Sequence, residues 1–184
     1  MKKKLLNLIV ILSLLIVCVC LLPTRAQAAK ITNSGTCGAN LTWTLDDAGT
    51  MTISGTGKMW NIGKENPPWY NVMPAITNII IKDGVTSIGE YAFFGCTSLE
   101  SFYGKFASDD NRCLIVNGEL NFFAPANLTT YSIPNYVTSI GEDAFYGCSS
   151  LTSVTIPDSV TKIGSSAFQN CSSLTSVTIG NGGV

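Results

Sequence analysis

The chain has 184 residues, 46% of them hydrophobic, with 11 basic and 12 acidic side chains, seven cysteines and no histidine. The absence of histidine excludes histidine general bases and triads. With no histidine and no Cys-x-x-Cys pair, the usual ligand pattern of a zinc site is missing as well, and no metal or cofactor is expected.

Lys2, Lys3 and Lys4 precede an apolar run from Leu5 to Leu22, followed by Pro23 and the small-residue site Ala26-Gln27-Ala28. This pattern reads as a secretory signal peptide over residues 1–28. An uncleaved membrane anchor is the alternative, because about 18 apolar residues can just span a bilayer. Cys18 and Cys20 follow Val17 and Val19, not the small residue that a lipid-attachment cysteine needs, so a lipoprotein is not expected. Cleavage after Ala28 leaves 29–184, one domain's worth, with seven basic against 12 acidic side chains, a formal charge of −5. A mildly acidic surface with no basic run disfavours nucleic acid and, once the signal is gone, membrane as partners. The expected location is secreted or cell surface.

Residues 29–72 read as a small N-terminal β cap and linker. Leu41, Trp43 and Leu45 alternate with polar residues, as do Met51 and Ile53 after Asp46-Asp47-Ala48-Gly49, which predicts a two-stranded hairpin. Such a hairpin needs a surface to cover, and the open end of a repeat array supplies one. Residues 55–72 read as loop, punctuated by Gly55, Gly57, Gly63 and Pro67-Pro68. Trp60, Trp69 and Tyr70 are expected to pin that loop to the first coil, an exposed sugar-stacking patch being the alternative.

Residues 73–184 carry a repeat. The framework Val-Thr-x-Ile-Gly-x-x-Ala-Phe-x-x-Cys-x-Ser-Leu runs from Val85 through Cys96, from Val137 through Cys148 and from Val160 through Cys171. The last two copies follow one another directly, and each continues into Leu-Thr-Ser-Val-Thr-Ile, at Leu151 to Ile156 and Leu174 to Ile179. A fixed period in the twenties signals a solenoid. Inward residues such as Ile76, Ile79, Ile81, and later Leu151, Val154, Ile156, predict parallel strands near 76–81, 99–103, 128–133, 151–156 and 174–179. Gly89, Gly141 and Gly164 then lead into short helical turns, glycine being suited to the backbone angles of a tight corner. The predicted repeat core is Ile88, Ala92, Phe93, Cys96 and Leu99; Ile140, Ala144, Phe145, Cys148 and Leu151; and Ile163, Ala167, Phe168, Cys171 and Leu174.

Five cysteines follow the signal: Cys37, Cys96, Cys113, Cys148 and Cys171. An odd number leaves at least one thiol unpaired in a monomer. The readings are a stack of buried thiols or a Cys148–Cys171 disulfide between adjacent coils, whose strands lie about 4.8 Å apart. The step from Leu99 to Leu128 is longer than that from Leu128 to Leu151 or from Leu151 to Leu174, giving an expanded coil over 99–127. Asn117-Gly118 between apolar runs predicts a type I′ hairpin there, replacing the helical corner, after a polar loop over 105–112. Decorated coils of solenoids often form the binding face.

The outward strand residues are Asn78, Ile80 and Lys82; Ser101, Tyr103 and Lys105; Thr130 and Ser132; Ser153 and Thr155; and Ser176 and Thr178. Tyr103 and its neighbours are the expected centre of any binding there. The carboxylate pairs Asp46-Asp47, Asp109-Asp110 and Glu142-Asp143 each have a turn or helix-start explanation, so no catalytic residue is assigned and no enzyme is expected.

The motif Ile-Gly-x-x-Ala-Phe-x-x-Cys-x-Ser-Leu-x-x-Val-x-Ile-Pro resembles the leucine-rich repeats of the BspA type, found in surface and secreted proteins. The coil beginning Asp110-Asn111-Arg112-Cys113 is similar to a variant unit of those proteins, and Ser34 through Gly55 to the leader that often precedes them. The resemblance implies an α/β-type, strand-dominated leucine-rich repeat solenoid, with one parallel strand per coil, short helical or 3-10 turns and a β-hairpin cap. It also implies adhesion-like binding of an extracellular protein or glycan. The alternative is a structural or assembly role, through end-to-end association at the last strand. The sequence runs from that strand into Gly180-Asn181-Gly182-Gly183-Val184, which reads as a small secreted product or a fragment of a longer array.

Overall fold

The computed structural model describes residues 29–63 and 66–181. The signal-peptide reading, with Cys18 and Cys20, lies outside the described residues. The fold is a strand-dominated β-solenoid of about four turns with little helix. In chain order the strands are β1 (Ile31–Gly38), β2 (Leu41–Asp46), β3 (Thr50–Gly55), β4 (Gly57–Lys58), β5 (Asn78–Ile81), β6 (Val85–Ser87), β7 (Ser101–Gly104), β8 (Cys113–Val116), β9 (Glu119–Phe123), β10 (Thr130–Ser132), β11 (Ser139–Ile140), β12 (Ser153–Ile156), β13 (Lys162–Ile163) and β14 (Ser176–Ile179). Among the described residues the sole helical element is a 3-10 turn, Tyr70–Ala75.

Each coil gives a longer strand to one side of the solenoid and a short one to the other. On the first side β1-β2-β3-β5-β7 form one sheet and β10-β12-β14 another; on the second side lie β4-β6 and β13-β11-β9-β8. The repeat offset becomes register: Ser153, Val154, Thr155 and Ile156 pair in parallel with Ser176, Val177, Thr178 and Ile179. The repeat's threonines hold this register. Thr152 donates its hydroxyl to the Thr129 carbonyl (2.8 Å) and Thr175 to that of Thr152 (3.3 Å). On the other side Thr138 and Thr161 donate to Gly118 (3.3 Å) and Thr138 (3.4 Å). Each coil is thus tied to the one before it by a threonine hydroxyl that joins the backbone amides on the same carbonyl.

Four expectations are corrected. The N-terminal unit is a three-stranded antiparallel meander, β1-β2-β3, with β3 passing in parallel register onto β5. β1 escapes a pattern search because register shifts at both ends break its alternation and only Cys37 and Gly38 are buried. The expected loop over 55–72 contains β4, a bridge from Met59 to Gly38, and the 3-10 turn.

The corners are chains of reverse turns, not helices. Ala92, Phe94 and Cys96 each donate to the residue three positions earlier, but Tyr91 sits at φ 55°, as do Asp143 and Ser166 in the later copies. One left-handed residue stops a right-handed helix from propagating. The glycine of each Ile-Gly is therefore not the left-handed residue. Its role is space: a Cβ on Gly89 would stand 1.9 Å from the Trp60 carbonyl oxygen, and one on Gly164 2.5 Å from the Glu142 nitrogen.

The hairpin of the expanded coil forms around Asn117 (φ 52°) and Gly118 (φ 81°), as a type I′ turn requires. It does not replace the corner. Glu119 and Leu120 pair in parallel with Ser139 and Ile140, so β9 fills the place of the short strand, and β8 lies antiparallel on its outer side.

The buried side chains divide into two clusters. The first holds Trp43, Met51, Ile53, Trp69, Ile79, Phe93, Cys96 and Phe102; the second holds Tyr131, Ile140, Phe145, Cys148, Val154 and Val160. The hairpin serves both, with Leu114 and Ala124 in the first and Cys113, Leu120 and Phe123 in the second.

Candidate functional site

The outward face of the first side is built by strand alternation. Ile79 and Ile81 are buried, which turns Asn78 and Ile80 outward; Phe102 is buried, which turns Ser101 and Tyr103 outward. Parallel register sets Ile80 beside Tyr103 and Asn78 beside Ser101. The meander extends this surface, since Thr52 stands beside Ile80 and Thr44 beside Thr52. A row Thr44–Thr52–Ile80–Tyr103 thus crosses four strands, ending on a tyrosine that is 42% exposed.

The threonine half of that row is not legible in the repeat period, because it comes from the N-terminal meander that joins the sheet through β3. Three members of the expected face already have partners, one away from the face and two in each other. Lys105 donates its Nζ to the Val85 carbonyl at 3.0 Å, and Asn78 accepts the Ser101 hydroxyl through Oδ1 at 2.5 Å. Lys82 is exposed at the end of β5. Beyond the expanded coil the face is Thr130 and Ser132, Ser153 and Thr155, Ser176 and Thr178, paired in register and without a large side chain.

A cleft lies on the other side. Glu119, Ser139 and Lys162 stand in one row across β9, β11 and β13. With the corners at Gly89–Tyr91 and Gly141–Asp143 they line a cleft of about 720 Å³. Among the lining residues Tyr91 donates its hydroxyl to Glu142 Oε1 at 2.9 Å, and the Phe94 ring stands 4.4 Å from that of Tyr146. Asn121 Nδ2 and the Ser139 hydroxyl both donate to the Glu119 carboxylate, at 2.8 and 3.4 Å.

The repeat itself decides the family. The model of the BspA type leucine rich repeat region matches the chain in six copies over residues 68–108 and 118–183, more than half of its length. The chain belongs to the BspA-type leucine-rich repeat family. No curated protein matches it. Among solved structures, a leucine-rich repeat protein from Eubacterium ventriosum is 19% identical, with 80% of this chain and 73% of that one covered and a TM-score of 0.35. A leucine rich cell surface protein from Faecalibacterium prausnitzii is 24% identical over 78% of this chain and 38% of that one, TM-score 0.44. The leucine-rich repeat protein of T. pallidum is 24% identical over 78% and 71%, TM-score 0.42.

Within this BspA-type array the repeat-core residues lie together inside. Ala92, Phe93, Cys96, Leu99, Ile140, Ala144, Phe145, Cys148, Leu151 and Ala167 are buried, while Ile88, Ile163, Phe168, Cys171 and Leu174 are half-buried. Burial pushes the Cys96 and Cys113 thiols up to about 12 and Cys37 to about 11, which makes them poor nucleophiles. Cys113 also shares a hydrogen bond with the Tyr131 hydroxyl at 3.1 Å.

Arg112 fastens the expanded coil: its guanidinium donates to the carbonyls of Glu100 and Ala126. Beside it, Ser108 donates to Asp110 Oδ1 (2.5 Å) and accepts the Cys113 amide (2.9 Å). Asp110 is held below the usual carboxylate range: burial pushes it up, but hydrogen bonds from Ser108, the Arg112 amide and Tyr131 together outweigh that.

Proposed function

We propose that the protein is a non-enzymatic, exported binding module that holds an extracellular protein on the outward face of its first sheet, in an adhesion-like role. One observation carries this reading: Ile80 and Tyr103 are adjacent, outward and large, and their row continues into the short hydroxyl side chains of Thr52 and Thr44. Tyrosine is enriched among residues that dominate binding energy, and a threonine surround gives hydrogen bonds with little side-chain entropy to lose. A glycan could use the same aromatic ring, so protein and glycan are arms of one test. The N-terminal meander, by covering one side of the first core, serves as the cap of the array.

The test is a panel of immobilised extracellular matrix proteins and cell-surface glycans, probed with the full chain and with Tyr103→Ala and Thr155→Ala. Tenfold or greater weakening by Tyr103→Ala, with Thr155→Ala unchanged, is the expected result on a protein target. Equal binding by all three would remove this face from consideration.

A second reading rests on β14. Its outer edge pairs with no strand among the described residues, and Val177 and Ile179 are 42% and 50% exposed. Such an edge recruits another strand, so self-association through it is the competing role. Oligomers that grow with concentration and vanish in Val177→Lys would favour it.

A further inference from the structure

We propose that Cys148 and Cys171 are a disulfide-forming pair that staples the corner leading into β12 to the corner leading into β14. The two residues occupy the same position of successive repeats, on coils whose backbones are laddered together. Phe145 N donates to Ala167 O at 2.8 Å and Gly147 N to Gln169 O at 2.9 Å, which brings the next residues of each corner side by side. Adjacent strands of this kind set Cα atoms about 5 Å apart, inside the window a disulfide needs. The Cys171 side chain reaches across as well: its Sγ donates to the carbonyl of Phe145, on the corner that carries Cys148, at 3.1 Å.

The other thiols are placed differently. Cys37 and Cys96 sit in the first core, and Cys113 is engaged by Tyr131. Within the pair the two sulfurs are unequal. The Cys148 hydrogen bond draws Cys171 down to about 7, and Cys171 is half-buried. The same interaction, with burial, pushes Cys148 up, and Cys148 is buried. Cys171 is thus the attacking sulfur and Cys148 the resolving one.

The oxidant is an external disulfide. The Cys171 thiolate attacks one of its sulfurs, breaking that bond and expelling a first thiolate. The Cys148 thiol, losing its proton, then attacks the Cys171 sulfur and expels the second. Two electrons pass to the oxidant, which leaves as two thiols. This inference does not depend on the binding face, and binding assays do not bear on it.

The test uses the full reduced chain, incubated with oxidised glutathione, quenched by alkylation and digested with trypsin and a glutamate-specific protease without reduction. Cleavage after Glu142 and Lys162 separates the two cysteines from each other and Cys148 from Cys113. The expected result is peptide 143–162 linked to 163–184. Cys148→Ser should stop at a glutathione adduct on Cys171, and Cys171→Ser should give neither adduct nor link. The oxidised wild type should melt on the order of 10 °C above the reduced form. A Cys113–Cys148 link, or a wild-type glutathione adduct on Cys171 that never resolves, would overturn the proposal without needing either variant to fold.

Discussion

The same repeat sentence lies in two different cores. In the first, Phe93 is one ring of an irregular aromatic cluster, stacked on Trp69 at 5.8 Å and edge-on to Phe122 at 5.4 Å. In the second, the equivalent Phe145 stands in a column, stacked between Phe123 at 4.7 Å and Phe168 at 4.9 Å. The outward faces differ too, large side chains marking the first region and only serine and threonine the second. The hairpin makes the difference. By lengthening its coil it breaks the regular column between Phe93 and Phe145, and each half then packs on what lies next to it.

The largest effect should come from the column. Phe145→Ala opens a cavity between two stacked rings and is expected to cost about 3–5 kcal/mol in urea denaturation, against about half that for the half-buried Phe168→Ala. Equal losses would mean that the column does not act as one packed unit.

Glycine substitutions come next and separate two roles. A Cβ on Gly164 meets the backbone nitrogen of Glu142 at 2.5 Å, so Gly164→Ala should cost about 2–3 kcal/mol through displacement of a coil. Gly147 has φ 70° and open space around it, so Gly147→Ala should cost only the left-handed penalty of about 1 kcal/mol. Reversal of that order in thermal melts would refute the close-stacking explanation. Arg112→Met should cost about 1–2 kcal/mol by releasing the two carbonyls that close the expanded coil.

The pH profile tests the two cores without a change of packing. Folded Cys96 and Cys113 titrate near 12 instead of the ordinary 9, so the folded state favours the neutral thiol. Their contribution is complete below pH 9 and is lost as pH rises from 9 toward 12, so Tm should fall over that range, and less so in Cys96→Ala. Asp110 acts in the opposite direction. Its lowered carboxyl contributes above the usual carboxylate range and loses that contribution as pH falls through its folded value, an effect kept small by its exposure. An unchanged acid limb in Asp110→Asn would remove it from the account of acid sensitivity.

Much of the fold is legible in the chain because stacking makes sequence offset equal to spatial neighbour. Ser153 predicts Ser176, and Ile80 and Tyr103 can be set side by side by counting one period. The rule fails where the count changes. The step from Glu119 to Ser139 is shorter than the step from Ser139 to Lys162, so the row Glu119–Ser139–Lys162 and its cleft fall outside the period. β1 was hidden by its register shifts, and the left-handed Tyr91, Asp143 and Ser166 share no residue type that would mark them. The need for glycine at 164 comes from a neighbouring coil's backbone, which local sequence does not show.

Two separate cores joined at one hairpin make a direct demand on hydrogen exchange, measured by mass spectrometry across the full chain. Leu114 and Leu120 lie on the same hairpin, one in each core. Leu114→Ala should speed exchange in β3, β5 and β7 and leave β11 and β12 protected, while Leu120→Ala should do the reverse. Both variants loosening the same strands to the same degree would show a single cooperative core and contradict the division.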